Sequence, residues 1–121
     1  MRALVVDDSA VIRTILAKIL RDANYEVAEA ADGEEALARL RDDGLLDVMF
    51  VDWNMAGMTG LELVRAVRAS DPQGKVRIMM VTYDASMASV QEVLAAGANE
   101  YLMKPFTKEM VAEKLALLTS N

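Results

Sequence analysis

The sequence predicts an α/β fold: a doubly wound parallel sheet of five strands with helices on both faces. Three observations carry that expectation. Five short apolar runs alternate with five stretches of helical periodicity along the 121 residues. The runs are mostly continuous rather than alternating, as in strands covered on both faces. The alternation of strand and helix implies parallel strands joined by right-handed crossovers.

Ala3 to Val6 is the first strand, ended by Asp7 and Asp8. Ser9 is placed to cap a helix that carries Ile12, Ile15, Leu16, Ile19 and Leu20 at helical spacing, all expected inward. Asn24 closes it, and Tyr25 to Ala28 reads as the second strand. Asp32-Gly33-Glu34-Glu35 fits a capping box for a helix whose inward residues are Ala36, Leu37 and Leu40, ended by Gly44. Val48 to Val51 is the third strand, with Asp52 directly at its end.

Asn54, Gly57, Thr59 and Gly60 then turn the chain. Thr59-Gly60-Leu61-Glu62 repeats the capping pattern before Leu61, Val64 and Val67, and Asp71-Pro72-Gln73-Gly74 is a turn. Val76 to Val81 is the fourth strand, closed by Thr82. Val90, Val93 and Leu94 are expected inward on the next helix, which Gly97 caps. Tyr101-Leu102-Met103 is a brief fifth strand ending at Lys104-Pro105. Thr107 starts a last helix with Met110, Val111, Leu115 and Leu118 inward. No linker, repeat or composition break appears, so residues 1–121 read as one domain.

Composition removes several chemistries. There is no cysteine, hence no disulfide, thiolate nucleophile or cysteine-held metal, and no histidine, hence no imidazole base or ligand. The N-terminus reaches acidic residues too soon for a signal peptide, and no apolar run is long enough to span a bilayer. A cytoplasmic protein is expected. The net charge of −6 argues against non-specific binding to nucleic acid or anionic membranes.

A parallel sheet delivers every strand's C-terminal end to one edge, where open α/β sheets bind ligands. Read together, the ends are Asp7-Asp8, Ala28-Glu29, Asp52, Thr82 and Lys104. Each has an ordinary reading alone: helix-start acids, a solvated turn residue, a capping threonine, a loop lysine. Together they suit one task. Clustered carboxylates repel unless a cation joins them, and Mg²⁺ takes carboxylate and phosphate oxygens. Lysine offers a point charge and threonine a donor to phosphoryl oxygens. With no histidine or cysteine, Asp52 is the best nucleophile at this edge. The set reads as Mg²⁺-assisted phosphoryl transfer onto Asp52.

Val5-Val6-Asp7-Asp8-Ser9, Val51-Asp52-Trp53-Asn54-Met55, Val81-Thr82 and Lys104-Pro105-Phe106-Thr107 are similar to the motifs of the receiver domain of two-component response regulators. The likeness is strongest to the single-domain chemotaxis type and extends over essentially the whole chain. It implies a flavodoxin-like sheet in strand order 2-1-3-4-5. It also implies that Asp52 is the phosphoacceptor and that the donor is a phosphohistidine on a sensor histidine kinase or phosphotransfer protein. Asp8 and Asp52 would ligate Mg²⁺ directly, Asp7 through water, and Asn54 by its backbone carbonyl. Lys104 would pair with the phosphoryl group, Thr82 would move onto it, and Tyr101 would turn inward behind Thr82. The Lys104–Pro105 peptide would be cis.

The chain departs from the family pattern at Ala56, where proline is usual, and at Tyr83, where a small residue usually follows the threonine. With Asn54 and Asp84 these are candidate modulators of phosphorylation rate and lifetime. The expected output face is the last two helices with the fifth strand between them, including Ser86, Ser89, Gln91, Glu92, Lys108 and Glu113 outward. Met79, Met80, Met87, Met103 and Met110 are expected mostly to fill core. A monomer is expected, signalling through a separate target protein and catalysing only its own phosphotransfer and dephosphorylation. Two rival readings stand beside the switch. One is an interaction module working unphosphorylated, and the other a small Mg²⁺ phosphohydrolase, which Asn54 disfavours because an acid/base Asp is wanted there.

Overall fold

A computed structural model describes residues 1–42, 46–70, 76–84 and 86–119. The elements run β1 (Arg2–Val6), α1 (Ala10–Asp22), β2 (Glu26–Ala30), α2 (Gly33–Asp42), β3 (Val48–Asp52), α3 (Gly60–Ser70), β4 (Arg77–Thr82), α4 (Met87–Ala96), β5 (Glu100–Met103) and α5 (Lys108–Thr119). The five strands form one parallel sheet in the order β2-β1-β3-β4-β5, as the resemblance implies. The sequence assignments of Gly44 and of the Asp71–Gly74 turn lie outside the described residues. No helix among the described residues is long and apolar enough to cross a membrane.

The strands alternate strictly between two cores. Leu4, Val6, Met49, Val51, Ile78 and Met80 face α2, α3 and α4, meeting Ala36, Leu63, Val64, Val67 and Val93. Ala3, Val5, Val48, Phe50, Met79, Val81 and Leu102 face α1 and α5, meeting Leu16, Leu20, Val111, Leu115 and Leu118. This explains the continuous apolar runs, since both faces of each central strand are dry. Burying each such large side chain contributes about 1.5–3 kcal/mol. The central strand β3 is buried along its whole length, Asp52 included.

Capping residues set where the helices begin. Ser9, Thr59, Ser86 and Thr107 accept, through their hydroxyls, the amides of Ile12, Glu62, Ser89 and Met110. Asp32 accepts that of Glu35. Thr59 and Glu62 complete the reciprocal box, with the Thr59 amide donating to Glu62 at 3.0 Å. In a parallel βα array these helix starts all follow strand C-termini, so their positive ends surround the edge that holds the acids.

Several sequence expectations shift. β2 spans Glu26–Ala30 rather than Tyr25–Ala28, because the turn at Asn24 (φ 71°) and the Tyr25 amide bound to Leu20 O delay the strand. Its end at the site edge is therefore Ala30, whose carbonyl accepts the Asp7 amide. Ile15 and Leu94 face outward, 46% and 44% exposed, because Leu16, Ala17 and Leu20, and Val93, take the inward arcs of their helices. On α3 the inward set includes Leu63, while Leu61 is half-buried. Met79 and Met80 are core, whereas Met87 is 72% exposed at the start of α4.

Candidate functional site

The strand ends meet as the topology requires. Asp7 follows β1, Asp52 ends β3, Thr82 ends β4 and Lys104 follows β5. These four are the buried polar residues among the described ones, none more than 7% exposed. Backbone bonds stagger them into one pocket: the Trp53 amide donates to Val81 O at 3.0 Å and the Lys104 amide to Thr82 O at 2.8 Å. The Lys104–Pro105 peptide is cis.

Lys104 Nζ donates to Asp52 Oδ1 at 2.9 Å and to Asp7 Oδ2 at 3.0 Å. Asp7 uses its other oxygen to accept the Ser9 amide at 2.9 Å, so one carboxylate both starts α1 and binds the lysine. Asp8 is exposed, and ligand oxygens of Asp7, Asp8 and Asp52 all lie within 4.8 Å of one another. One cation among three carboxylates leaves an excess of negative charge. Burial first, and then the charges of Asp7 and Asp8, hold the Asp52 carboxyl above its ordinary range although Lys104 pulls it down. Burial would lower the Lys104 ammonium, but its bonds to Asp52 and Asp7 outweigh that and raise it. The lysine is therefore fully charged at neutral pH.

The unneutralised negative charge and an all-oxygen donor set fit a hard divalent cation. The spacing is near what one ion needs, since oxygens held about 2.1 Å from a shared Mg²⁺ stand at most about 4.2 Å apart. Asn54, two residues beyond β3, is exposed, as is Ala56.

Other expected residues are placed nearby but engaged elsewhere. The Thr82 hydroxyl accepts the Asp84 amide at 2.9 Å and reaches the Asp84 carbonyl at 3.3 Å. Asp84 itself braces the cap of α4, accepting the amide of the capping Ser86 at 2.8 Å and the Ser89 hydroxyl at 2.7 Å. Those bonds hold its carboxyl below the usual range. Tyr101 is half-buried against the α2–α3–α4 core, with Lys114 Nζ 4.5 Å from its ring centroid and 3.2 Å from Glu100. Tyr83 is exposed beside Lys104. Glu29 stands away from the acids and pairs with Arg13 at 3.3 Å.

Two supporting residues were not legible as such. Arg13 donates to the Asp7 carbonyl at 2.7 Å while Glu29 holds its Nε, and nothing marked it among the polar residues of α1. Gly60 was read as a turn residue. A Cβ there would collide with the Asp52 carbonyl oxygen and come within 2.9 Å of the Trp53 Cα, so glycine lets α3 close against the end of β3.

Comparison with known proteins agrees with this geometry. Over 116 residues the chain is 42% identical to the chemotaxis protein CheY of Pseudomonas aeruginosa, covering 95% of this chain and 93% of that one. It is 43% identical to a chemotaxis protein CheY homolog of Campylobacter jejuni, covering 95% and 89%. Its fold superposes on Vibrio cholerae CheY4 with a TM-score of 0.91 at 42% identity, covering 97% of each chain. It also superposes on the response regulator TrrA of Thermotoga maritima, determined in complex with Mg²⁺-BeF, with a TM-score of 0.84 at 32% identity and 97% coverage of each. The response regulator receiver domain matches residues 3–116, a span that takes in every strand end of the pocket. By that match and those relatives, the chain belongs to the response regulator receiver domain family.

Proposed function

We propose that this chain is a phosphorylation-dependent signalling switch in which Asp52 accepts a phosphoryl group from a phosphohistidine donor. The observation that carries the reading is the Lys104 ammonium, buried and bonded at once to Asp7 and Asp52. It puts a fixed positive charge where the phosphoryl oxygens of an aspartyl phosphate would lie. Asp8 and Asp52, with Asp7 through water and the Asn54 backbone carbonyl, would hold Mg²⁺, which neutralises phosphoryl charge when bound. Asp52 supplies the nucleophilic oxygen, and Lys104 keeps its charge throughout.

The readout follows from bonds that phosphorylation would disturb. A phosphoryl group brings roughly two negative charges and three strong acceptors. Thr82 would exchange its bonds to the Asp84 backbone for one to a phosphoryl oxygen. Asp84 is bonded to Ser86 and Ser89 at the start of α4, so that exchange reaches the helix start directly, and Tyr101 would turn inward to fill the space Thr82 leaves. The α4–β5–α5 face would then change its affinity for a separate target. New charge-assisted hydrogen bonds supply the few kcal/mol that such a population shift needs.

The partners in this reading are a sensor histidine kinase or phosphotransfer protein and an output protein, all in the cytoplasm. The chain carries out only its own phosphotransfer and slow dephosphorylation. Incubation with excess acetyl phosphate and Mg²⁺ tests this against a phosphohydrolase. A switch takes up one phosphoryl group per chain and releases phosphate slowly thereafter. Rapid steady turnover of the ester, without accumulation of labelled chain, would overturn the switch.

A further inference from the structure

Lys104 has a third partner besides the two carboxylates. Its Nζ lies 5.3 Å from the centroid of the Tyr83 ring, within cation–π range. The burial on the two sides is unequal. Lys104 is 7% exposed, whereas Tyr83 is 66% exposed at the rim. A largely solvated ring thus lies against an ammonium that solvent barely reaches, with Asp7 and Asp52 at 3.0 and 2.9 Å as its hydrogen-bond partners.

We propose that Tyr83 is a positioning residue for phosphoryl uptake at Asp52, its ring holding the Lys104 ammonium by cation–π attraction while the lysine trades a carboxylate for a phosphoryl oxygen. The inference rests on the reading of Asp52 as phosphoacceptor. In the uptake step an Asp52 carboxylate oxygen forms a bond to phosphorus as the donor's bond to phosphorus breaks. The electron pair leaves with the donor, as acetate when the donor is acetyl phosphate. Lys104 must then loosen its 2.9 Å bond to Asp52 Oδ1 and turn to the incoming oxygens. A hydrogen bond fixes direction steeply, whereas attraction to a ring face tolerates rotation of the ammonium. The ring therefore keeps the charge in the pocket during the exchange without opposing it. Tyr83 directly follows Thr82, so it is anchored to the strand end that also delivers the hydroxyl.

The contact and its role are tested separately. In the unphosphorylated protein, the Lys104 ε-methylene protons should show an upfield ring-current shift by NMR. That shift should persist in Tyr83→Phe and vanish in Tyr83→Leu. The initial rate of acetyl phosphate labelling with Mg²⁺ should fall about three- to tenfold in Tyr83→Leu, which keeps apolar bulk without a ring face. In Tyr83→Phe it should stay within about twofold of wild type. Labelling that is unchanged or faster in Tyr83→Leu, with wild type labelled normally, overturns this inference alone, because the side chain would then act by bulk. Absence of the ring-current shift in wild type also overturns it. A wild-type chain that takes up no phosphoryl group overturns the phosphoacceptor reading itself, and this inference with it.

Discussion

In Asp52→Asn the buried cluster keeps its lysine and loses one of three carboxylates, and the distances fix the sign of the stability change. At an effective dielectric of about 20, the 2.9 Å pairing of Lys104 with Asp52 is worth about 6 kcal/mol. Repulsion from Asp7 and Asp8, whose oxygens lie within 4.8 Å, costs about 3.5 kcal/mol each or more before screening of the exposed Asp8. These terms nearly cancel, so the cost of burying the Asp52 charge decides the outcome. Without metal, Asp52→Asn should be more stable than wild type by about 1–3 kcal/mol, a rise in Tm of about 4–10 °C. The pH dependence carries the same sign. Asp52 has a folded-state pKa above its ordinary 3.8, so its contribution to stability is present below 3.8 and lost as pH rises through the raised value. Wild type and variant should therefore melt close together in acid and diverge towards neutral pH, in thermal melts with chelator. An Asp52→Asn protein that melts below wild type at neutral pH would refute the reasoning, by showing that the lysine pair outweighs repulsion and burial.

Other perturbations probe the surroundings. Gly60→Ala forces a Cβ against the backbone of Asp52 and Trp53 and should cost about 2–4 kcal/mol by urea denaturation, with no loss if the α3 start can retreat. Mg²⁺ at about a hundred times its Kd should stabilise wild type by about 2.7 kcal/mol, and Asp52→Asn by clearly less; equal gains would remove Asp52 from the metal site. Asp84 has a lowered pKa, so its contribution is present above the ordinary 3.8 and lost as pH falls through the depressed value. Hydrogen exchange at the Ser86 amide, which donates to Asp84, should accelerate there relative to Met110, whose amide is held by the neutral Thr107 hydroxyl.

Most of the architecture was legible because the apolar runs are continuous and a parallel sheet permits few arrangements. The same topology made Asp7, Asp52, Thr82 and Lys104 readable as neighbours despite separations of up to 97 residues. The order of the strands came from resemblance, since periodicity says nothing about which strands adjoin. Facing was less legible where apolar residues are adjacent. Ile15 beside Leu16 and Leu94 beside Val93 satisfy the same spacing, and only packing against the sheet chooses between them. Contacts made by side-chain reach were not legible at all. Arg13 meets Asp7 and Glu29 because β2 ends at Ala30, later than the apolar run suggested. Thr82 turning to Asp84, and Tyr83 lying over Lys104, depend on rotamers beyond the strand end.

The central claim is that Asp52 accepts the phosphoryl group, and intact-mass analysis after treatment with acetyl phosphate and Mg²⁺ tests it most directly. Wild type should gain the mass of one phosphoryl group, in a Mg²⁺-dependent manner, and Asp52→Asn should not. An equal adduct on both proteins would contradict the claim and move the nucleophile away from the end of β3.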